Sequence, residues 1–109
     1  MDLYEELEKR IQLLDKGIDK LKENGVEYAK SEKEYKVALR QEILKLRNDN
    51  VAVGIIDKIC YGIPSIAELR FKRDVAKTIY QANLEAINTW KLEIRIIQNQ
   101  IDKEYCRDE

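Results

Sequence analysis

Two long segments with heptad periodicity, separated by one short stretch that contains glycine and proline, constrain the fold most strongly. The first segment covers about residues 2–47 and the last about 65–105, and each places its seam residues at alternating spacings of four and three. The predicted buried seam includes Ile11 and Ile18 in the first segment and Ile87 and Ile97 in the last. That spacing is typical of helices that bury one narrow face against another helix. The stretch 47–66 holds two of the four glycines and the only proline. The sequence therefore predicts long helices that reverse direction at this stretch.

We predict a single all-α domain over residues 1–109, built as an antiparallel helical hairpin that resembles a coiled coil. Long helices over about 2–47 and 65–105 flank a short helix over 52–61 at the bend. The matched lengths of the two arms set a register in which Leu46 faces Leu69 and Glu42 lies near Arg73. In the same register Trp90 lies opposite Gly25, where a missing side chain leaves room for the indole.

The dipeptide Asn24-Gly25 is a common helix-stop signal. The seam keeps its phase through the glycine, and a glycine inside a helix costs only about 1 kcal/mol. We therefore predict one continuous first helix, with a break at this dipeptide as the alternative.

The bend contains its own helix signals. Asp49 or Asn50 is predicted to cap the short helix, and Gly62 to stop it. Its predicted buried residues are Val53, Ile56, Ile59 and Cys60. Pro64 suits the first turn of the next helix, where Ser65 and Glu68 have the spacing of a capping box.

The composition argues against catalysis and against a membrane span. The chain has no histidine, no glycine-rich phosphate loop and no paired C-x-x-C motif, so we predict no catalytic residue, cofactor or metal site and no enzymatic activity. No apolar run approaches the roughly 20 residues of a membrane span, and the acidic start of the chain does not resemble a signal peptide. Two cysteines, Cys60 and Cys106, give no disulfide framework. We expect a cytoplasmic protein.

A second apolar stripe beside the seam of the last helix predicts an interface. One partner helix cannot cover both this stripe and the many tyrosines, and exposed apolar patches usually mark contact sites. The predicted partner-binding residues are Val75, Ile79, Ala82, Ala86, Tyr28 and Tyr35. Self-association as a homodimeric four-helix bundle and binding of a separate protein would hide this surface equally well.

Nucleic acid is the alternative partner. Lys36–Lys77 carries nine basic and five acidic residues, although the whole chain has 20 basic and 21 acidic residues. A phosphate-contacting patch at the bend would consist of Arg40, Lys45, Arg47, Arg70, Lys72, Arg73 and Lys77. The order of helices around the bend also fits a helix-turn-helix, although the apolar residues of the would-be recognition helix look buried.

Three runs carry a resemblance to a known group: E-Y-A-K-S-E-K-E-Y-K-V-A-L, A-E-L-R-F-K-R-D-V-A and Q-A-N-L-E-A-I-N-T-W-K-L-E-I-R-I. They resemble small uncharacterised all-helical proteins of phages and prophages of Gram-positive bacteria. The resemblance implies a phage accessory protein that inhibits a host defence factor or assists replication or recombination. We therefore expect a non-enzymatic protein-binding module. A purely structural coiled-coil spacer is a third possibility, which the tyrosines and the second stripe disfavour.

Overall fold

The structure is a computed structural model that describes residues 2–107, and every regular element within that range is helical. Helix α1 spans Leu3–Asn48, α2 spans Val53–Gly62 and α3 spans Pro64–Arg107. The predicted all-α class is confirmed. As predicted, α1 continues through Asn24 and Gly25 without a break.

The chain divides into two compact units. Unit 1 comprises Met1–Asn24 and Tyr80–Glu109, and unit 2 comprises Gly25–Ile79. Each unit therefore combines part of α1 with part of α3, and unit 2 also contains the whole of α2.

Unit 1 is organised around the contact between Trp90 and Gly17. The indole of Trp90 occupies the space beside the glycine, and Ile87 packs next to it. Asn83 extends the contact, because its Nδ2 donates to the Gly17 carbonyl at 3.1 Å and its Oδ1 accepts from Asn24 Nδ2 at 2.8 Å. Arg10 Nε donates to Glu93 Oε2 at 3.2 Å. These contacts fix how the two helical segments of unit 1 align.

The predicted pairing of Trp90 with Gly25 is wrong. The indole packs on Gly17, eight residues earlier in α1. Eight residues exceed the heptad repeat by one, so the contact is shifted along α1 and also lies on a different side of that helix. The predicted neighbourhood of Glu42 and Arg73 is corrected in the same direction, because Arg73 lies over the ring of Tyr35, one heptad before Glu42.

The buried face of α1 in unit 1 also differs from the predicted seam. Ile11 and Ile18 were expected to be buried, yet both are about two-fifths exposed, whereas Gly17 is buried and Arg10 is half-buried. In unit 1 the side of α1 that packs inward is therefore the side of Gly17. A glycine lets the large indole of Trp90 lie close to the α1 backbone, which an isoleucine at the same position would prevent. In α3 the predicted seam is confirmed at Ile87 and Ile97, which are buried.

The core of unit 2 joins all three helices. Tyr35 of α1, Ile56 and Cys60 of α2, and Ile66 and Ala76 of α3 are buried there. Ser31 is buried as well, and its hydroxyl donates to the carbonyl of Glu27 in the preceding turn at 2.8 Å. The bond satisfies the buried hydroxyl, which would otherwise cost stability.

The short helix α2 buries less than predicted. Ile56 and Cys60 are buried, but Val53 and Ile59 are exposed. Residues four apart lie on one face of a helix, so Ile56 and Cys60 form the single face that α2 turns inward. The predicted burial of Val53 and Ile59 is wrong: Val53 is the first residue of α2 and is 70% exposed, and Ile59 is 38% exposed.

Asn50 lies two residues beyond the last residue of α1 and forms part of the C-terminal cap of α1, so it does not cap α2. It has a φ of 62°, the left-handed conformation that asparagine tolerates better than most residues. The Val51 N–H donates to the Leu46 carbonyl and the Asn50 N–H donates to the Arg47 carbonyl, each at 3.1 Å. This is the Schellman pattern of a helix C-terminus. The N-cap of α2 is Ala52, which makes no side-chain capping bond, so the predicted capping by Asp49 or Asn50 is wrong.

Pro64 is the first residue of α3, as predicted. Its fixed φ suits this position, where the missing N–H would have no partner within the helix. The carbonyl of the preceding residue, Ile63, accepts the N–H of Ala67 at 2.9 Å. Ser65 therefore lies inside the first turn and not at the N-cap, so the predicted capping box of Ser65 with Glu68 is not formed.

Candidate protein-binding surface

Unit 2 contains a groove with a volume of about 510 Å³. Val37 and Ala38 of α1 and Leu69 of α3 supply its apolar lining, beside charged and polar side chains of α1. The full lining is Lys30, Lys33, Glu34, Val37, Ala38, Gln41 and Leu69. A groove that combines apolar and charged side chains can receive an amphipathic helix of another protein.

An ion pair connects this groove to the predicted apolar stripe of α3. Lys72 Nζ lies 3.5 Å from Glu34 Oε2, and Glu34 lines the groove. Val75 and Ile79 follow Lys72 at spacings of three and seven, so all three share one face of α3. Val75 is 42% exposed and Ile79 is 50% exposed. Val75 and Ile79 therefore share a face of α3 with Lys72, whose ion pair reaches the groove. We call Val37, Ala38, Leu69, Val75 and Ile79 the groove surface.

The other predicted partner-binding residues lie elsewhere. Ala82 is exposed and Ala86 is half-buried, both in unit 1. Tyr28 is half-buried in unit 2. Tyr35 is only 5% exposed, because the guanidinium of Arg73 lies over its ring with the Cζ atom 4.6 Å from the centroid. The inclusion of Tyr35 in a partner-binding surface is therefore corrected: its ring belongs to the core of unit 2.

The predicted basic patch is divided by contacts within the chain. Arg70 lies 4.8 Å from the Tyr61 ring centroid and donates through Nη2 to the Tyr61 carbonyl at 3.4 Å. Lys72 pairs with Glu34, and Arg73 pairs with Asp74 at 2.9 Å. The remaining four members, which are exposed and make no ion pair among residues 2–107, are Arg40, Lys45, Arg47 and Lys77.

Sequence reasoning missed the α1 side of the groove. Val37 was not singled out because it lies off the heptad seam, and Ala38 is too small to stand out in a pattern of large apolar residues. A signal was present nonetheless. Val37 and Leu44 are seven residues apart on the outer side of α1, and both are about half exposed. Exposed apolar residues at heptad spacing indicate a second contact face.

Neither cysteine belongs to a reactive or metal-binding cluster. Cys60 is fully buried and Cys106 is exposed, and both are free thiols. Burial raises the pKa of the Cys60 thiol, and the negative charges of Glu42 and Asp57 raise it further. A raised pKa keeps the thiol protonated and unreactive. Across residues 2–107 no group of three or more acidic or cysteine side chains is arranged to hold a metal ion.

Comparison with protein families, with curated proteins and with solved structures gives no match. The resemblance to phage proteins therefore stays a prediction. Among the described helices, none is both long and apolar enough to cross a membrane.

Proposed function

We propose that the chain is a non-enzymatic protein-binding module whose groove surface receives an amphipathic helix of a partner protein. The observation that carries the proposal is a groove lined by Val37, Ala38 and Leu69. Lys72 is paired with Glu34 of that groove, and the exposed Val75 and Ile79 share its helix face. Leaving such side chains in water forgoes about 25 cal/mol for each Å² of apolar surface that a partner would cover. A helix with an apolar face fits a trough of this form.

The finer architecture in this proposal is an antiparallel helical hairpin that forms homodimers. Support comes from the contact partners within each unit. In unit 1, Arg10 meets Glu93 and Asn24 meets Asn83, so later residues of α1 meet earlier residues of α3. In unit 2, Glu34 of α1 meets Lys72 of α3. Contacts in this order are those of two antiparallel helical segments.

The biological setting in this proposal is that of a phage-encoded accessory protein in the cytoplasm of a bacterial host. There it would inhibit a host defence factor or assist replication or recombination. The support is the resemblance of the three sequence runs to small helical phage proteins.

Site-specific photocrosslinking in bacterial cells tests the binding surface. A photoreactive residue at Ile79 is expected to form an adduct with one heterologous protein or with a second copy of the chain. The same residue at Gln98, an exposed position of α3 in unit 1, is the matched control and should give no adduct of that mass. The double variant Val75→Gln, Ile79→Gln, with the crosslinker at Val37, should lose the adduct and keep the helical circular dichroism. Equal adducts from both positions would contradict the proposal.

Nucleic-acid binding through the predicted basic patch at the bend is the second candidate. Its exposed members are Arg40, Lys45, Arg47 and Lys77. It predicts binding to DNA or RNA that weakens steeply as the salt concentration rises, because each phosphate contact releases counterions. Replacement of Arg40 and Arg47 by glutamine should then reduce the salt dependence. No binding of either nucleic acid at low salt would remove this candidate.

A further inference from the structure

The two units carry opposite net charges. Unit 1 contains thirteen acidic and nine basic residues, a net charge of −4, whereas unit 2 contains eight acidic and eleven basic residues, a net charge of +3. The near-neutral chain is therefore polarised. Opposite charges on two surfaces favour their encounter and select their relative orientation.

The N-terminal part of α1 presents an acidic apolar stripe. Tyr4, Ile11 and Ile18 are spaced by seven residues, which is nearly two helical turns, so they form a row along the helix. They are 63%, 41% and 40% exposed. Exposed carboxylates border this row, and none of them makes an ion pair within residues 2–107. We call the row and its carboxylates the acidic stripe, whose charged members are Glu5, Glu8, Asp15 and Asp19.

The part of α1 in unit 2 presents the complement. Lys30, Val37 and Leu44 form a row with the same spacing of seven, and Lys33, Arg40 and Arg47 form a parallel row beside it. All six are exposed, and none of the four basic side chains makes an ion pair in the described part of the chain. We call these six residues the basic stripe. Lys30, Lys33 and Val37 also line the groove.

The two stripes match in length and in spacing. Tyr4 to Ile18 and Lys30 to Leu44 each span about 21 Å at 1.5 Å per residue. Rows of side chains with equal repeats can interlock over several turns. Both stripes lie on α1, so the acidic stripe of one copy can face the basic stripe of another. Two copies aligned with like stripes together would bring unpaired lysine and arginine side chains against one another, which is unfavourable.

We propose that the helix received by the groove surface is the acidic stripe of a second copy of this chain. This inference rests on the proposed function, since it names the partner of the same surface. Ile11 and Ile18 of one copy pack along α1 of the other, against Val37 of the groove surface and against Leu44, which lies one heptad beyond it. Glu8 and Asp15 lie among Lys33 and Arg40. The contact explains why two isoleucines of the heptad seam stay exposed within one chain.

A charge-swap experiment tests the proposal on the full chain. The basic variant is Lys33→Glu with Arg40→Glu, and the acidic variant is Glu8→Lys with Asp15→Lys. Sedimentation equilibrium should give a mass above 12.9 kDa for the wild-type chain, falling toward that value as salt is raised, since screening weakens exposed charge pairs. Each variant alone should be a monomer at concentrations where the wild type associates. An equimolar mixture of both should associate again, because the unchanged acidic stripe of one variant meets the unchanged basic stripe of the other, and the two altered stripes are complementary as well.

Control variants separate this effect from a change in net charge. Lys91→Glu with Lys103→Glu, and Glu85→Lys with Asp102→Lys, reverse the same numbers of exposed charges outside the stripes and should leave the wild-type mass unchanged. Circular dichroism checks that every variant is helical. If a charge reversal unfolds the chain, the neutral pair Lys33→Gln with Arg40→Gln is measured in its place and should weaken association at least severalfold.

The outcomes distinguish this inference from the proposed function. A wild-type chain of 12.9 kDa at every concentration overturns the inference, as does a charge-swapped variant that associates like the wild type. A heterologous adduct at Ile79 from a monomeric chain leaves the proposed function standing and overturns the second-copy contact alone. A monomer whose basic variant loses oligonucleotide binding assigns the basic stripe to nucleic acid and overturns both. A further result is that the charge-swap variants behave as expected while the double variant Val75→Gln, Ile79→Gln associates like the wild type. That result overturns the role of the groove surface and keeps the contact along α1.

Discussion

A Cβ atom added to Gly17 would lie 2.5 Å from Cζ3 of Trp90, closer than two carbon atoms approach in proteins. The same atom would lie 3.2 Å from Cγ1 of Ile87. Gly17 is therefore required for packing in unit 1 and not for an unusual backbone conformation. The indole fixes which turn of α1 faces α3 in this unit.

Gly17→Ala is expected to destabilise the protein. The added methyl group forces the indole of Trp90 to move, and overpacking of this kind costs about 1–3 kcal/mol. The gain of about 1 kcal/mol in helix propensity offsets only part of the cost. Gly54→Ala is the matched control, because a Cβ there meets no atom within 4 Å, and it should be neutral or slightly stabilising. Urea unfolding of both variants measures the difference, and a Gly17→Ala protein as stable as the control would contradict the packing.

Asn83→Ala is expected to lower the free energy of unfolding by about 1–3 kcal/mol. The change removes the donor to the Gly17 carbonyl and leaves the amide of Asn24 without its acceptor. Asn88→Ala, at an exposed position of the same helix, controls for helix propensity. A double-mutant cycle with Asn24→Ala should give a coupling energy of at least about 0.5 kcal/mol. Strict additivity of the two changes would show that the amides do not interact.

Arg73→Met is expected to destabilise unit 2 through loss of the cation over the Tyr35 ring. Such contacts are worth about 0.5–2 kcal/mol when partly desolvated, and Tyr35 is buried while Arg73 is half-buried. Arg95→Met removes an exposed guanidinium that lies over no ring among the described residues and should change stability by less than about 0.5 kcal/mol. Thermal unfolding compares the two variants. Equal effects would argue against the Arg73–Tyr35 contact.

The two cysteines are expected to differ in reactivity toward a thiol reagent. Cys106 is exposed and should be modified quickly, whereas Cys60 is buried with a raised pKa and should react only when the chain unfolds. Mass spectrometry of the modified chain, with and without denaturant, identifies which thiol has reacted. Fast modification of Cys60 in the folded protein would contradict its burial.

The raised pKa of Cys60 also predicts a loss of stability at alkaline pH. The unfolded thiol loses its proton near its ordinary pKa, and the folded thiol holds its proton to higher pH. Stability from this group is therefore constant below that pH and falls as the pH rises above it. Cys60→Ala is expected to lose part of this alkaline decline, although the cavity lowers its stability at every pH. Unfolding free energies measured on both proteins across this range give the comparison, and parallel curves would contradict the shift.

The helices could be predicted from the sequence, because helix formation depends on the local pattern of residues. Heptad spacing and few glycines or prolines predicted two long helices, and Pro64 marked the start of α3 because its ring suits a first turn. Asn50 was recognised as a capping residue but assigned to the wrong helix. An asparagine before an apolar run fits an N-cap as well as a left-handed C-terminus, and only the backbone bonds of Val51 and Asn50 decide between them.

Only part of the candidate binding surface could be predicted from the sequence. Val75 and Ile79 stood out as apolar residues beside the seam of α3, whereas Val37 and Ala38 gave no comparable signal. Their place in the groove depends on which face of α1 packs inward in unit 2. That choice rests on the burial of Ser31 and Tyr35, a small residue and an aromatic residue that hydropathy alone does not rank.

The sequence by itself determined that this chain is helical, where its helices begin and end to within a few residues, and which stripe of α3 is buried. Tertiary structure alone decided the register of the contacts and the rotation of α1. The physical reason is that a heptad pattern is nearly unchanged by a shift of seven residues, so apolar periodicity leaves several alignments close in energy. The fit of one indole against one glycine separates them, since Trp90 packs beside Gly17 and leaves Ile11 and Ile18 on the surface.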